Sequence, residues 1–263
     1  MLKKLLKYDM KALTKSLVPA YLILVVLALL TKATTELSLS FAFLKSITPF
    51  IIIAFVLGMI GIGFYTFIVI VLRFYKNIVK EEGYLTNTLP VKKNTIVLSK
   101  LISANIFYLF TILVMALAFV IAAYDPDIIK LITEGYKELV TALDFTVTEV
   151  NFYIIFMIIL TNVNNIVMVF LAIALGQTRN DKKVMYSVIY WIVIYMILQM
   201  IAGILVFSLT FFNEALRTMT NDTVPTRELL IALLMPSTLL SIIEPIIMHI
   251  ITIKTLDKSL NVE

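Results

Sequence analysis

The chain has 263 residues, of which 61 % are hydrophobic, with a mean hydropathy of +1.01 and a formal net charge of +5. Soluble domains hold roughly 45 to 50 % apolar residues, so a fold in water would expose too much hydrocarbon and the expected solvent is lipid. The absence of cysteine excludes disulfides, thiolate metal sites and cysteine nucleophiles, and the 22 Lys and Arg are spread over short connections rather than gathered into a nucleic-acid-binding face.

A transmembrane helix needs about 20 mostly apolar residues. The sequence predicts six, at 16–34, 47–72, 96–123, 152–175, 186–212 and 229–253, in one transmembrane domain over 1–263. The first follows a basic stretch with Lys3, Lys4, Lys7, Lys11 and Lys15. That stretch looks superficially like the start of a signal peptide, but it is long, it has no convincing small-residue cleavage site and five more spans follow, so it is read as leading into a retained helix. Basic residues near span ends stay on the cytoplasmic side. With the N-terminus inside, all of the 22 Lys and Arg except Lys32, Lys45, Lys130, Lys137, Arg217 and Arg227 fall on cytoplasmic segments. Both termini are therefore expected in the cytoplasm, and the chain is expected to be a multi-pass protein of the cytoplasmic membrane.

Within the second span, Gly58, Gly61 and Gly63 read first as points of close helix approach. The connection to the third span, residues 73–100, alternates apolar Phe74, Ile78 and Val79 with Lys76, Lys80, Glu81 and Glu82 before Gly83 breaks the period. This predicts a short helix at the inner membrane surface, ended near Gly83, then an exposed turn bearing Tyr84, Leu85, Leu89 and Pro90. An ordinary loop resting on lipid headgroups is the alternative. Between the third and fourth spans, Asp125, Asp127, Glu134, Glu138, Asp144 and Glu149 outnumber Lys130 and Lys137, and apolar residues recur at Ile128, Ile129, Leu131, Ile132, Tyr136, Leu139, Val140 and Leu143. That spacing predicts an amphipathic helix on the outer surface, opened by Asp125-Pro126 or Pro126-Asp127.

The fourth span carries a polar knot, Thr161, Asn162, Asn164 and Asn165, and the fifth carries Gln199. Such side chains usually hydrogen-bond between membrane helices for about 0.6 to 2 kcal/mol. Glu244, inside the sixth span, is the sharpest single residue, because an intramembrane carboxylate must be paired, hydrated or protonated. Glu244, Asn162, Asn165 and Gln199 are the candidates for a cargo path or gate, against a purely structural role in helix packing. Pro245 removes a backbone donor beside Glu244 and is expected to bend the helix. The single His249, without carboxylates at ligand spacing, gives no metal site.

One run points beyond physics. The pattern Glu81-Glu82-Gly83-Tyr84-Leu85, then Thr88-Leu89-Pro90-Val91, then Ser99-Lys100-Leu101 resembles a segment shared by permeases of the type-2 ATP-binding-cassette exporter family of Gram-positive bacteria. The resemblance extends to the layout of six spans, cytoplasmic termini and a prominent loop between spans two and three. It implies that Glu81, Glu82, Gly83, Tyr84, Leu85, Thr86, Thr88, Leu89 and Pro90 form a coupling helix and turn that dock on a cytoplasmic ATPase. Two ATPases and a second permease, identical or related, would complete the transporter. No glycine here precedes a lysine, so the chain lacks a phosphate-binding loop. No catalytic residue and no cofactor are expected in it, and ATP and Mg would be bound by the partner.

These readings give an all-α transport subunit, not an enzyme, exporting an amphipathic or hydrophobic cargo such as a peptide. The alternative is a non-transporting sensor or immunity protein that captures a cationic peptide through the acidic external segment.

Overall fold

The computed structural model describes residues 1–78, 91–179, 181–212 and 227–259, and among them every regular element is an α-helix. In chain order these are α1 (Leu2–Leu37), α2 (Ala42–Ile78), α3 (Lys93–Ala122), α4 (Pro126–Ala142), α5 (Val147–Gly176), α6 (Lys183–Phe212) and α7 (Arg227–Ser259). All except α4 are long and apolar enough to cross a membrane. The shortest of the six have 30 residues, and at about 1.5 Å per residue they exceed the ~30 Å of hydrocarbon in a bilayer. By the length and apolarity of its helices the chain is an all-helical, multi-pass membrane protein.

The helices overrun most ends of the predicted spans, most of all at the start of α1. Apolar runs mark only the turns that lie in lipid, while Lys, Leu, Ala and Met sustain a helix beyond it. In α1 the added turns also bury Asp9 and Leu13. The expected short helix after the second span is replaced over residues 73–78 by the last turns of α2, where Phe74 and Ile78 are buried. The rest of that segment, Glu81, Glu82, Gly83, Tyr84, Leu85, Thr86, Thr88, Leu89 and Pro90 included, lies outside the described residues.

Contacts gather the helices into two units, Met1–Leu131 and Ile132–Glu263. In the first, α1 packs on both α2 and α3, and the buried stripe of α1 reads Asp9, Leu13, Leu17, Tyr21, Leu24, Ala28 and Thr31. Steps of three and four residues keep those side chains on one helix face. The same stripe carries hydroxyls: Tyr21 Oη lies 2.7 Å from Thr111 Oγ1 of α3, which lies 3.1 Å from Thr66 Oγ1 of α2. Gly58 approaches Leu24 and Leu27 of α1, as close helix contact requires, whereas Gly61 and Gly63 face open space. For those two the packing expectation fails, because they lie off the face of α2 that meets its neighbours.

In the second unit α5 packs on both α6 and α7, the same order of contact as in the first. A capping box opens α5: Thr146 N–H donates to Glu149 Oε2 at 2.9 Å and Glu149 N–H donates to Thr146 Oγ1 at 3.2 Å. Arg227 Nη2, at the start of α7, donates to Glu149 Oε1 at 2.9 Å. At the other end of α5 a side chain on Gly176 would collide with Ser187 and the Lys183 carbonyl, so only glycine lets α6 turn back this closely.

Helix α4 starts as predicted. Asp125 Oδ1 accepts from the backbone of Asp127 at 2.9 Å, and Pro126 occupies the first helical position. It ends with Asp144 at φ 57, where Phe145 N–H donates to Val140 O and Asp144 N–H to Thr141 O, a Schellman pattern in which aspartate takes the place usual for glycine. Ile128, Leu131, Ile132 and Leu139 are exposed.

Candidate functional site

Helices α5, α6 and α7 enclose a groove of about 250 Å³. Thr161, Asn164, Asn165 and Met168 of α5 line it, and so do Ser237, Leu240, Ser241 and Glu244 of α7. Both sets repeat the spacing i, i+3, i+4, i+7 that aligns side chains along one helix face. Helix α6 adds Tyr195, Leu198, Gln199 and Ala202 at the same spacing, followed by Leu205 and Val206. The polar members sit near the middle of their helices. Glu244 is roughly 26 Å from the start of α7 and ~22 Å from its end at about 1.5 Å per residue, deep in the hydrocarbon of any bilayer these helices cross.

Of the four residues singled out for a cargo path, Glu244, Asn165 and Gln199 come together here. Asn162 is buried and is not among the lining residues. Ser237, Ser241 and Tyr195 join the groove without having been singled out. The i, i+4, i+7 run of Ser237, Ser241 and Glu244 is the signal that leads to the two serines, and the i, i+4 spacing of Tyr195 and Gln199 is the one that leads to the tyrosine.

Hydrogen bonds give this wall a definite polarity. Pro245 has no N–H to donate to the carbonyl four residues back, which is that of Ser241. Asn164 Nδ2 donates to that carbonyl at 2.8 Å instead. The amide is thereby fixed with its oxygen the other way, and Asn164 Oδ1 is buried without a hydrogen-bond partner. Ser237 Oγ donates to Leu233 O at 2.8 Å and Ser241 Oγ donates to Ser237 O at 2.9 Å, so both hydroxyl protons are spent inside α7. Glu244 is the only carboxylate on the lining, no Lys, Arg or His accompanies it, and among the described residues it makes no hydrogen bond or ion pair. Placing a lone carboxylate at bilayer depth costs about 2.5 to 3.5 kcal/mol on insertion scales, so the groove requires water, a proton or a cation.

A second polar cluster lies at one end of the other unit. Asp9 of α1 accepts from Arg73 Nη2 of α2 at 2.9 Å, from Lys100 Nζ of α3 at 3.0 Å and from Ser99 Oγ at 2.8 Å. Arg73 and Lys100 flank the connection between α2 and α3, so this carboxylate ties α1 to both ends of it. Among the described residues no three His, Cys, Asp or Glu stand close enough to hold a metal ion.

Comparison with family models, curated proteins and solved structures finds no match to this chain.

Proposed function

We propose that the chain is the membrane-spanning permease subunit of a transporter whose ATP is hydrolysed by separate cytoplasmic subunits. The observation that carries this reading is the groove of α5, α6 and α7, where Glu244, Gln199 and Asn165 line about 250 Å³ at mid-helix depth. An uncompensated carboxylate at that depth costs a helix bundle stability, and carboxylates so placed mark pathways for polar or charged cargo. The ATPase enters through the resemblance of residues 81–101 to the docking segment of type-2 ATP-binding-cassette permeases. On that reading Glu81 to Pro90 receive the mechanical work, and a second permease completes the path for an exported amphipathic or hydrophobic cargo such as a peptide.

The experiment is recovery of partners from native membranes with the tagged chain, beside a variant carrying Tyr84→Glu and Leu85→Glu. An ATPase subunit should accompany the unaltered chain, and the double variant should lose it while keeping its helical content. Recovery of no ATPase with the unaltered chain, or equal recovery with both, defeats the proposal.

A further inference from the structure

The geometry points to the ligand of the α5–α6–α7 groove: a positively charged amine carried on an apolar body. The inference deepens the transport reading by naming the chemical class of its cargo, and it rests on that reading for the word cargo; binding itself needs only this chain.

Charge balance comes first. Glu244 brings a single negative charge to the groove, and the lining supplies no cation to offset it. A neutral occupant would leave the carboxylate desolvated and unpaired, and an anionic one would be repelled. A monocation brings the groove to neutrality and is one of the three partners, water, a proton or a cation, that a carboxylate at this depth can take.

Donor and acceptor balance points the same way. The face of α7 presents two serine oxygens whose protons are already committed elsewhere. Asn164 donates one amide hydrogen to Ser241 O and its buried oxygen has no partner, while Ser237 and Ser241 have given their hydroxyl hydrogens to their own helix. Beside the carboxylate the two serine oxygens accept hydrogen bonds and have no proton left to give, while Thr161, Asn165, Tyr195 and Gln199 can accept as well as donate. An alkylammonium head is the complementary object, with three N–H donors and no acceptor. A buried acceptor without a donor costs about 1 to 3 kcal/mol, so each oxygen that meets an N–H favours this head over an alcohol, an ester or a carboxylate.

The remainder of the lining fixes the body of the ligand. Leu198, Ala202, Leu205, Val206 and Leu240 line the groove with apolar side chains. About 250 Å³ holds roughly eight waters at ~30 Å³ each, enough for an ammonium head with a short aliphatic chain. The groove therefore admits one basic side chain or one alkylamine at a time.

The test uses the full chain alone, in nanodiscs of zwitterionic phosphatidylcholine, titrated calorimetrically with octylammonium and with octanol, and with empty nanodiscs subtracted. Octylammonium should bind saturably to the unaltered chain. The Glu244→Gln variant should bind it at least about tenfold more weakly, as expected for loss of one partner of a desolvated charge pair, and Glu244→Asp should retain most of the affinity. Octanol should bind no better to the unaltered chain than to Glu244→Gln. If Glu244→Gln does not fold, the unaltered chain still decides, because octylammonium must bind it more tightly than octanol does. Equal affinity for octylammonium in the unaltered chain and Glu244→Gln overturns the inference, and so does octanol binding as tightly as octylammonium. If the unaltered particle holds two copies and the Glu244→Gln particle one, the inference is overturned as well, since a second chain would then fill the groove. No ATPase is present, so failure of partner recovery leaves this result standing, and failure here with the ATPase recovered removes only the ligand.

Discussion

Asn164 illustrates how a proline in one membrane helix can be satisfied by a side chain of another. The carbonyl of Ser241 lost its partner when residue 245 became proline, and in lipid no water replaces it. Asn164, 77 residues away in sequence, supplies the missing donor. Asn164→Ala should therefore cost about 1 to 3 kcal/mol, the range for orphaning a buried acceptor. In a Pro245→Ala background the backbone N–H returns to Ser241 O, and the same truncation should cost distinctly less. Unfolding midpoints of the four proteins in a detergent titration close the cycle; costs that simply add would show that the two residues do not share this bond. From the sequence, Asn164 reads as one polar residue of a packing knot and Pro245 as a bend. Their relation was illegible because a missing hydrogen bond names its donor only when the neighbouring helix and its rotation are known. Glu244 was legible by contrast, since a carboxylate inside an apolar run announces itself without any partner.

For the helices, apolar run length located all six long elements but not their polar extensions. The first turns of α1 look like a loose basic leader, because five lysines surround one aspartate. That aspartate proves to be the residue around which α1, α2 and α3 are fastened. Arg73 reads from the sequence as a charge that orients spans, and Lys100 as that and as part of the run Ser99-Lys100-Leu101; neither reading carries information about which carboxylate they meet. The side chains of Asp9 and Lys100 are 6 % and 9 % exposed, so the cluster escapes much of the solvent screening that makes surface ion pairs nearly worthless. Asp9→Asn should leave two cations facing each other and destabilise the first unit by about 3 kcal/mol, in the range for breaking a buried pair by removing one partner. Adding Lys100→Met to that variant should recover part of the loss, because one uncompensated charge goes with it. Thermal unfolding followed by circular dichroism measures both, and an Asp9→Asn chain as stable as the unaltered one would remove the cluster from any account of how α1 is held.

At the scale of the molecule, each unit consists of a leading helix packed on the two that follow it, α1 on α2 and α3, α5 on α6 and α7. The sequence contains no internal repeat that foretells this, since lipid-facing positions accept any apolar residue and leave no periodic signature. Orientation, in contrast, rests entirely on sequence, on the excess of Lys and Arg in segments assigned to the cytoplasm. The ATPase reading depends on it, because that reading needs the connection between α2 and α3 on the cytoplasmic side with the N-terminus. Asp9, Arg73 and Lys100 meet at one end of the first unit, which joins the end of α2 and the start of α3 to the N-terminal turns. The chain contains no cysteine, so single cysteines introduced at exposed positions report side without background. Lys11→Cys and Asp181→Cys should resist a membrane-impermeant maleimide in intact cells and react once the membrane is opened, and Glu134→Cys in α4 should react in both. The inverse pattern would put residues 79–90 on the outer face, out of reach of any cytoplasmic ATPase. Labelling of Lys11→Cys and Glu134→Cys alike in intact cells would mean that the chain inserts both ways, in which case a single power stroke from the cytoplasm has no common face on which to act.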